Sequence, residues 1–154
     1  MKEDEFDAYK KRIEDKLIDY ATLYVDQDAE LPNGNNTTER KAPEGLSWIN
    51  YWRAMSGNHK SQLECCSCGK MIFVDGIPPM MSKMYKLMNI DENEYIALGG
   101  HLLVEEPQSH EYVGGFYIAP LCPKCNAQRG KKIRIRKGTF LCKECCIRKD
   151  NYGK

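Results

Sequence analysis

No stretch of this chain approaches the ~20 consecutive apolar residues that cross a bilayer, and its start, Met1 to Arg12, is acidic and polar. Neither a membrane anchor nor a secretion signal is therefore expected, and a reducing cytoplasm is the expected compartment. Internal repeats and low-complexity tracts are lacking, as is any recognisable motif for reading base edges. With 154 residues the chain is too short for a large architecture and long enough for one domain with appendages. Its 29% charged and 42% hydrophobic residues and mean hydropathy of -0.62 exclude a membrane protein on one side and a wholly disordered chain on the other.

What the chain does hold is cysteine, eight in all. In a reducing compartment that number argues for metal ligation over a disulfide framework. The spacing agrees: Cys65 and Cys68, Cys122 and Cys125, and Cys142 and Cys145 form three C-x-x-C pairs, with Cys66 and Cys146 adjacent. Zinc takes four tetrahedral sulfur or nitrogen ligands, and a two-residue gap lets both thiolates of a pair reach one ion. Cys65-Cys66-Ser67-Cys68-Gly69-Lys70 reads as a zinc knuckle, and Pro120-Leu121-Cys122-Pro123-Lys124-Cys125-Asn126 as a helix entry with Pro123 in its first turn, where the amide dipoles favour thiolate. Cys65, Cys68, Cys122 and Cys125 are the expected zinc ligands. A second zinc on Cys142, Cys145 and Cys146 would need a fourth ligand from Cys66, His59 or His110, and the spacing selects none of them.

Along the chain, Phe6, Tyr9, Ile13, Leu17, Tyr20, Ala21 and Tyr24 recur at helical steps and predict a helix over Glu5–Val25. Leu31 to Asn36 reads as a turn and Thr37 to Glu44 as a linker. Ser47 and Gly57 bracket a second helix, whose Trp48 and Trp52 share a face and are expected to pack against the zinc module. Met71–Val74 is an expected strand. A short helix carrying Met80, Met81, Met84, Leu87 and Met88 is expected to turn its methionines into the core. Ala97–Val104 and Tyr112–Ile118 predict a hairpin, and Lys131–Phe140 a half-buried strand. The expected fold class is α+β, with residues 1–60 as a helical N-terminal extension and 61–154 as a zinc-binding domain ending in a basic segment.

Charge is uneven along the chain. Residues 1–64 carry 9 basic and 13 acidic groups, residues 65–121 carry 3 and 7, and residues 122–154 carry 11 and 2. Arg129, Lys131, Lys132, Arg134, Arg136 and Lys137 concentrate the positive charge into a strip suited to phosphates, with a solvated edge strand as the other reading.

The order of a C-x-x-C pair, then Gly99-Gly100-His101 on a strand, then Ile118-Ala119-Pro120-Leu121-Cys122-Pro123-Lys124-Cys125-Asn126 resembles the HNH (ββα-metal) nucleases, specifically their small zinc-stapled members. The likeness covers residues 65–130. It implies a treble-clef zinc finger with a ββα-metal-like core, His101 as the general base that activates water against a phosphodiester, and Asn126 as a ligand to a catalytic divalent ion such as magnesium. The chain departs from the family where an acidic residue commonly precedes the histidine, here Gly100, and at the middle asparagine position, here Tyr117. Glu105, Glu106, His110 or Glu111 would have to complete the magnesium site. A strand histidine held by a backbone carbonyl, or supplementing a zinc site, is the other reading of His101.

Three functions follow as expectations: a metal-dependent endonuclease acting on nucleic acid, with DNA the expected partner; a non-catalytic nucleic-acid-binding zinc protein; or a protein-interaction or inhibitor factor that uses its acidic N-terminal helix on a partner.

Overall fold

The computed structural model describes residues 1–16, 22–34, 41–104 and 116–144. Helix α1, Glu3–Lys16, opens with Glu3, Asp4 and Glu5, acids that suit the positive end of the helix dipole. It buries Phe6, Tyr9 and Ile13, each contributing roughly 1.5–3 kcal/mol by leaving water. Their partner is α2, Trp48–Ser56. As the sequence predicts, Ser47 caps α2 by accepting from the Asn50 amide, and Gly57 closes it at φ 76°. The Tyr9 hydroxyl donates to the Pro43 carbonyl at 2.8 Å and fixes α1 to the approach to α2.

Seven of the nine α2 residues are buried, because the helix lies against an antiparallel sheet. The strands are β1 (Thr22–Tyr24), β5 (Leu98–Leu102), β6 (Tyr117–Leu121) and β8 (Phe140–Lys143), in the order β1-β8-β6-β5. The Tyr51 hydroxyl donates to the Lys143 carbonyl at 2.7 Å and the Trp52 indole to the Phe140 carbonyl at 2.8 Å. The buried tryptophans thus pack on this sheet. At Gly99 a Cβ would fall 2.6 Å from the Trp48 carbonyl carbon, so glycine there sets how closely α2 meets β5.

Two smaller ribbons complete the fold. Strand β2 (Ala29–Pro32) pairs antiparallel with β7 (Lys132–Ile135). Strand β3 (Gln62–Glu64) pairs with β4 (Met71–Phe73), forming a hairpin around the first cysteine pair. A one-turn helix α4, Pro123–Asn126, follows β6, and helix α3, Pro79–Leu87, follows β4. The fold is mixed α+β. Residues 1–60 share its single core and supply β1 and β2 to sheets completed by the C-terminal segment. Among the described residues no helix is long and apolar enough to cross a membrane.

Three expectations need correcting. The long first helix does not reach Val25: residues 17–21 lie outside the described residues, and Thr22–Tyr24 is a strand, because β8 offers it an edge to pair with. Strand β6 continues through Pro120 and Leu121 where a helix start was expected. Pro120 is tolerated because it lies beyond the β8 pairing, which covers only Tyr117 and Ile118. The methionine helix does not face the core: Met80 is 84% and Leu87 88% exposed, and α3 is held through the Tyr85–Tyr95 ring contact.

Candidate metal centre and the surroundings of His101

The first two ligand candidates come from the β3–β4 turn. The Cys65 amide donates to the Lys70 carbonyl at 2.8 Å and the Gly69 amide to the Cys65 carbonyl at 2.9 Å. Closing this loop requires φ 78° at residue 69, a left-handed conformation that glycine adopts without strain. The other two candidates come from α4. Cys122 is its N-cap, with its sulfur accepting the Cys125 amide at 3.5 Å, and Pro123 occupies the first turn, where no amide is needed.

The ligand atoms of Cys65, Cys68, Cys122 and Cys125 all lie within 4.8 Å of one another, and the Cys68 and Cys122 sulfurs are 3.8 Å apart. Four thiolates around a tetrahedral ion at ~2.3 Å have sulfurs about 3.8 Å apart. The cluster can therefore hold a metal ion.

Its electrostatics favour a cation. Burial raises the Cys122 and Cys125 thiols, and the neighbouring sulfurs raise them further. Burial also pushes Cys65 upward, but hydrogen bonds from the backbone of Cys68, Cys122 and Ser67 outweigh it and leave that thiol below its ordinary value. Without a bound cation, ionising all four sulfurs would crowd like charges together. A dication removes that repulsion. Cys66 is buried beside the cluster and its thiol is raised well above the ordinary value by burial.

Cys142, from the third pair, is buried on β8 opposite Ile118, and its thiol is likewise raised by burial. Cys145 and Cys146, with Glu105, Glu106, His110 and Glu111, lie outside the described residues. His59 stacks on Phe6 with ring centroids 4.5 Å apart.

His101 lies on β5 opposite Ile118. Its ring is 5% exposed and edge-on to Trp48 and Phe116, at 5.1 and 5.8 Å between centroids. The Glu144 carboxylate is 3.5 Å from its Nε2. Asn126 sits on the other side of the strand. Successive residues of a strand point to opposite faces: a Cβ on Gly100 would lie 3.3 Å from the Asn126 side-chain oxygen, whereas one on Gly99 would meet Trp48 of α2. Gly99 and His101 face α2, whereas Gly100 faces α4. The general base and metal ligand implied by the HNH resemblance thus occupy opposite faces of β5.

Sequence reading missed the residues that brace this region. Asn33, buried in what reads as a turn, donates from its side chain to the Asn126 carbonyl at 2.9 Å, while its own carbonyl accepts the Gly130 amide. The next amide, of Gly34, donates to the His101 carbonyl at 2.7 Å. The Asn33-Gly34 dipeptide signals only a tight turn. Glu144 carried no signal at all.

The basic segment is exposed as alternation requires. Ile133 and Ile135 are buried on β7, with Lys132 and Arg134 outward. Arg134 pairs with Asp28, and Arg136 with Glu64 at 3.5 Å. Among the described residues no carboxylate pairs with the side chains of the exposed Arg129, Lys131, Lys132 or Lys137. No protein-family model, curated protein or solved structure matches this chain.

Proposed function

We propose that this chain is a zinc-stapled, treble-clef-like protein that binds nucleic acid through its basic segment without cleaving it. The order of a knuckle, a hairpin and a helix with cysteines at its first turn supports the treble-clef reading, and four clustered thiols in tetrahedral spacing support zinc. The single observation that carries the non-catalytic reading is the separation of His101 from Asn126 by the β5 backbone. A general base must come within hydrogen-bond reach of the water it activates. A ring buried between Trp48 and Phe116 is placed for packing and for its contact with Glu144. A cluster of exposed cations on and beside β7 remains, and phosphate contacts are the chemistry such a strip performs best.

The test is a gel shift and a cleavage assay on the same DNA and RNA, with magnesium or manganese present. Salt-sensitive binding without cleavage supports the reading. Cleavage that His101→Ala abolishes would restore the nuclease, and binding indifferent to charge reversal at Lys131 and Lys132 would remove the basic segment from the interface.

A further inference from the structure

A groove of about 1040 Å³ lies between the residues leading into β3 and the turn from β7 to β8. Its lining includes the buried Cys65 and Cys66, and the Cys66 carbonyl accepts the Arg136 amide at 2.8 Å. The groove therefore sits directly on the candidate metal centre. Tyr24, also in the lining, stands 68% exposed, its ring 5.1 Å from Phe140 at an interplanar angle of 69°. Phe140 in turn contacts Trp52 edge-on, with centroids 6.4 Å apart. An aromatic ring braced edge-on by Phe140 and open to solvent is a stacking surface that the core does not bury.

The charged lining of the groove is Lys60, Glu64, Arg136 and Lys137. Glu64 is taken up by Arg136, and among the described residues no carboxylate pairs with the side chains of Lys60 and Lys137, which leaves both to receive anions. Arg136 and Lys137 are also the last cations of the basic segment, so a phosphate chain following β7 is led into the groove. Cations and an exposed aromatic lining one groove match the requirements of a single strand. Its phosphates need positive charge, and its unpaired bases each offer a face for stacking. A duplex keeps those faces inside its own stack.

We infer that this groove binds a single-stranded nucleic acid segment, with an unpaired base stacked on Tyr24 and the adjoining phosphates between Lys60 and Lys137. The inference rests on the nucleic-acid-binding reading above and narrows it to single strands. The test uses the full chain and fluorescence anisotropy with a labelled oligothymidylate of about 12 nucleotides, set against a duplex of equal length. The single strand is expected to bind at least tenfold tighter. Tyr24→Ala should weaken single-strand binding roughly tenfold, the scale of one lost base stack, while Tyr24→Phe keeps it and Lys60→Glu lowers it. Equal affinity for the duplex, or unchanged binding by Tyr24→Ala, overturns the groove. If both probes still bind and charge reversal at Lys131 and Lys132 weakens them, the basic segment stands and only the groove falls. If neither probe binds, both readings fall.

Discussion

The backbone amide of Cys66 donates to the carbonyl of Pro120 at 2.9 Å, tying the knuckle to the strand that delivers the other cysteine pair. The same residue's carbonyl accepts from Arg136. One residue between two ligand candidates thus joins β6, the knuckle and the end of the basic segment. Organisation of the metal centre and placement of the end of the basic segment are therefore mechanically linked.

Metal removal is therefore expected to cost more than local order. Elemental analysis should find one zinc per chain on the quartet, and chelation or Cys125→Ser should destabilise the fold by several kcal/mol, since metal affinity in such sites is folding free energy. Salt-sensitive nucleic-acid binding should fall in parallel. Thermal unfolding with and without chelator checks the first effect and anisotropy the second. A chelated protein that melts unchanged would deny the cluster a structural role.

His101 is expected to behave as a packing residue. Truncating a ring enclosed by Trp48 and Phe116 leaves a cavity and removes the contact with Glu144, so His101→Ala should lose roughly 2–4 kcal/mol in urea unfolding. Nucleic-acid affinity under conditions where the variant is folded should not change. Asn33→Ala should cost about 1–3 kcal/mol by leaving the half-buried Asn126 carbonyl without its donor.

How much of this was legible in the sequence depends on where each constraint resides. The cysteine quartet was readable because ligand chemistry fixes a two-residue gap, and α2 because Ser47 and Gly57 carry their own start and stop signals. The strand state of Thr22–Tyr24 was not readable: three residues have no intrinsic preference strong enough to outweigh the pairing offered by a strand more than a hundred positions later. The face taken by His101 was half legible. Alternation separates it from Gly100, but only the packed structure decides that α2 covers one face of β5 and α4 approaches the other. The exposed methionines of α3 show the converse limit, since an apolar stripe says what could be buried and not what arrives to bury it.

Alkaline conditions should expose the buried thiols. The Cys66 and Cys142 thiols are raised above the ordinary value by burial. The folded state keeps them protonated while the unfolded chain ionises near pH 8.5–9. A raised folded pKa contributes stability that is present below the unfolded value and lost as pH climbs above it. Each such thiol should then steepen the loss by up to about 1.4 kcal/mol per pH unit. Urea unfolding between about pH 8 and 10 should show that slope, and Cys142→Ala should flatten it while lowering stability at neutral pH. A wild-type slope matched by the variant would mean that Cys142 is not held away from solvent.

The basic segment makes the most direct quantitative demand. Each phosphate neutralised by a side chain releases condensed counterions, so the logarithm of affinity falls with the logarithm of salt, with a slope of about -0.7 per contact for single strands. Lys131 and Lys132 are exposed, and no carboxylate pairs with them among the described residues. Replacing either by glutamine should reduce the slope by roughly that amount while leaving stability within about 0.5 kcal/mol. Arg134, already committed to Asp28, should contribute less, and Asp28→Asn should release it and strengthen binding. If Arg134→Gln lowers the slope as much as Lys132→Gln does, the ion pair with Asp28 does not hold Arg134 back in solution. If none of the three moves the slope, phosphate contacts lie elsewhere on the chain.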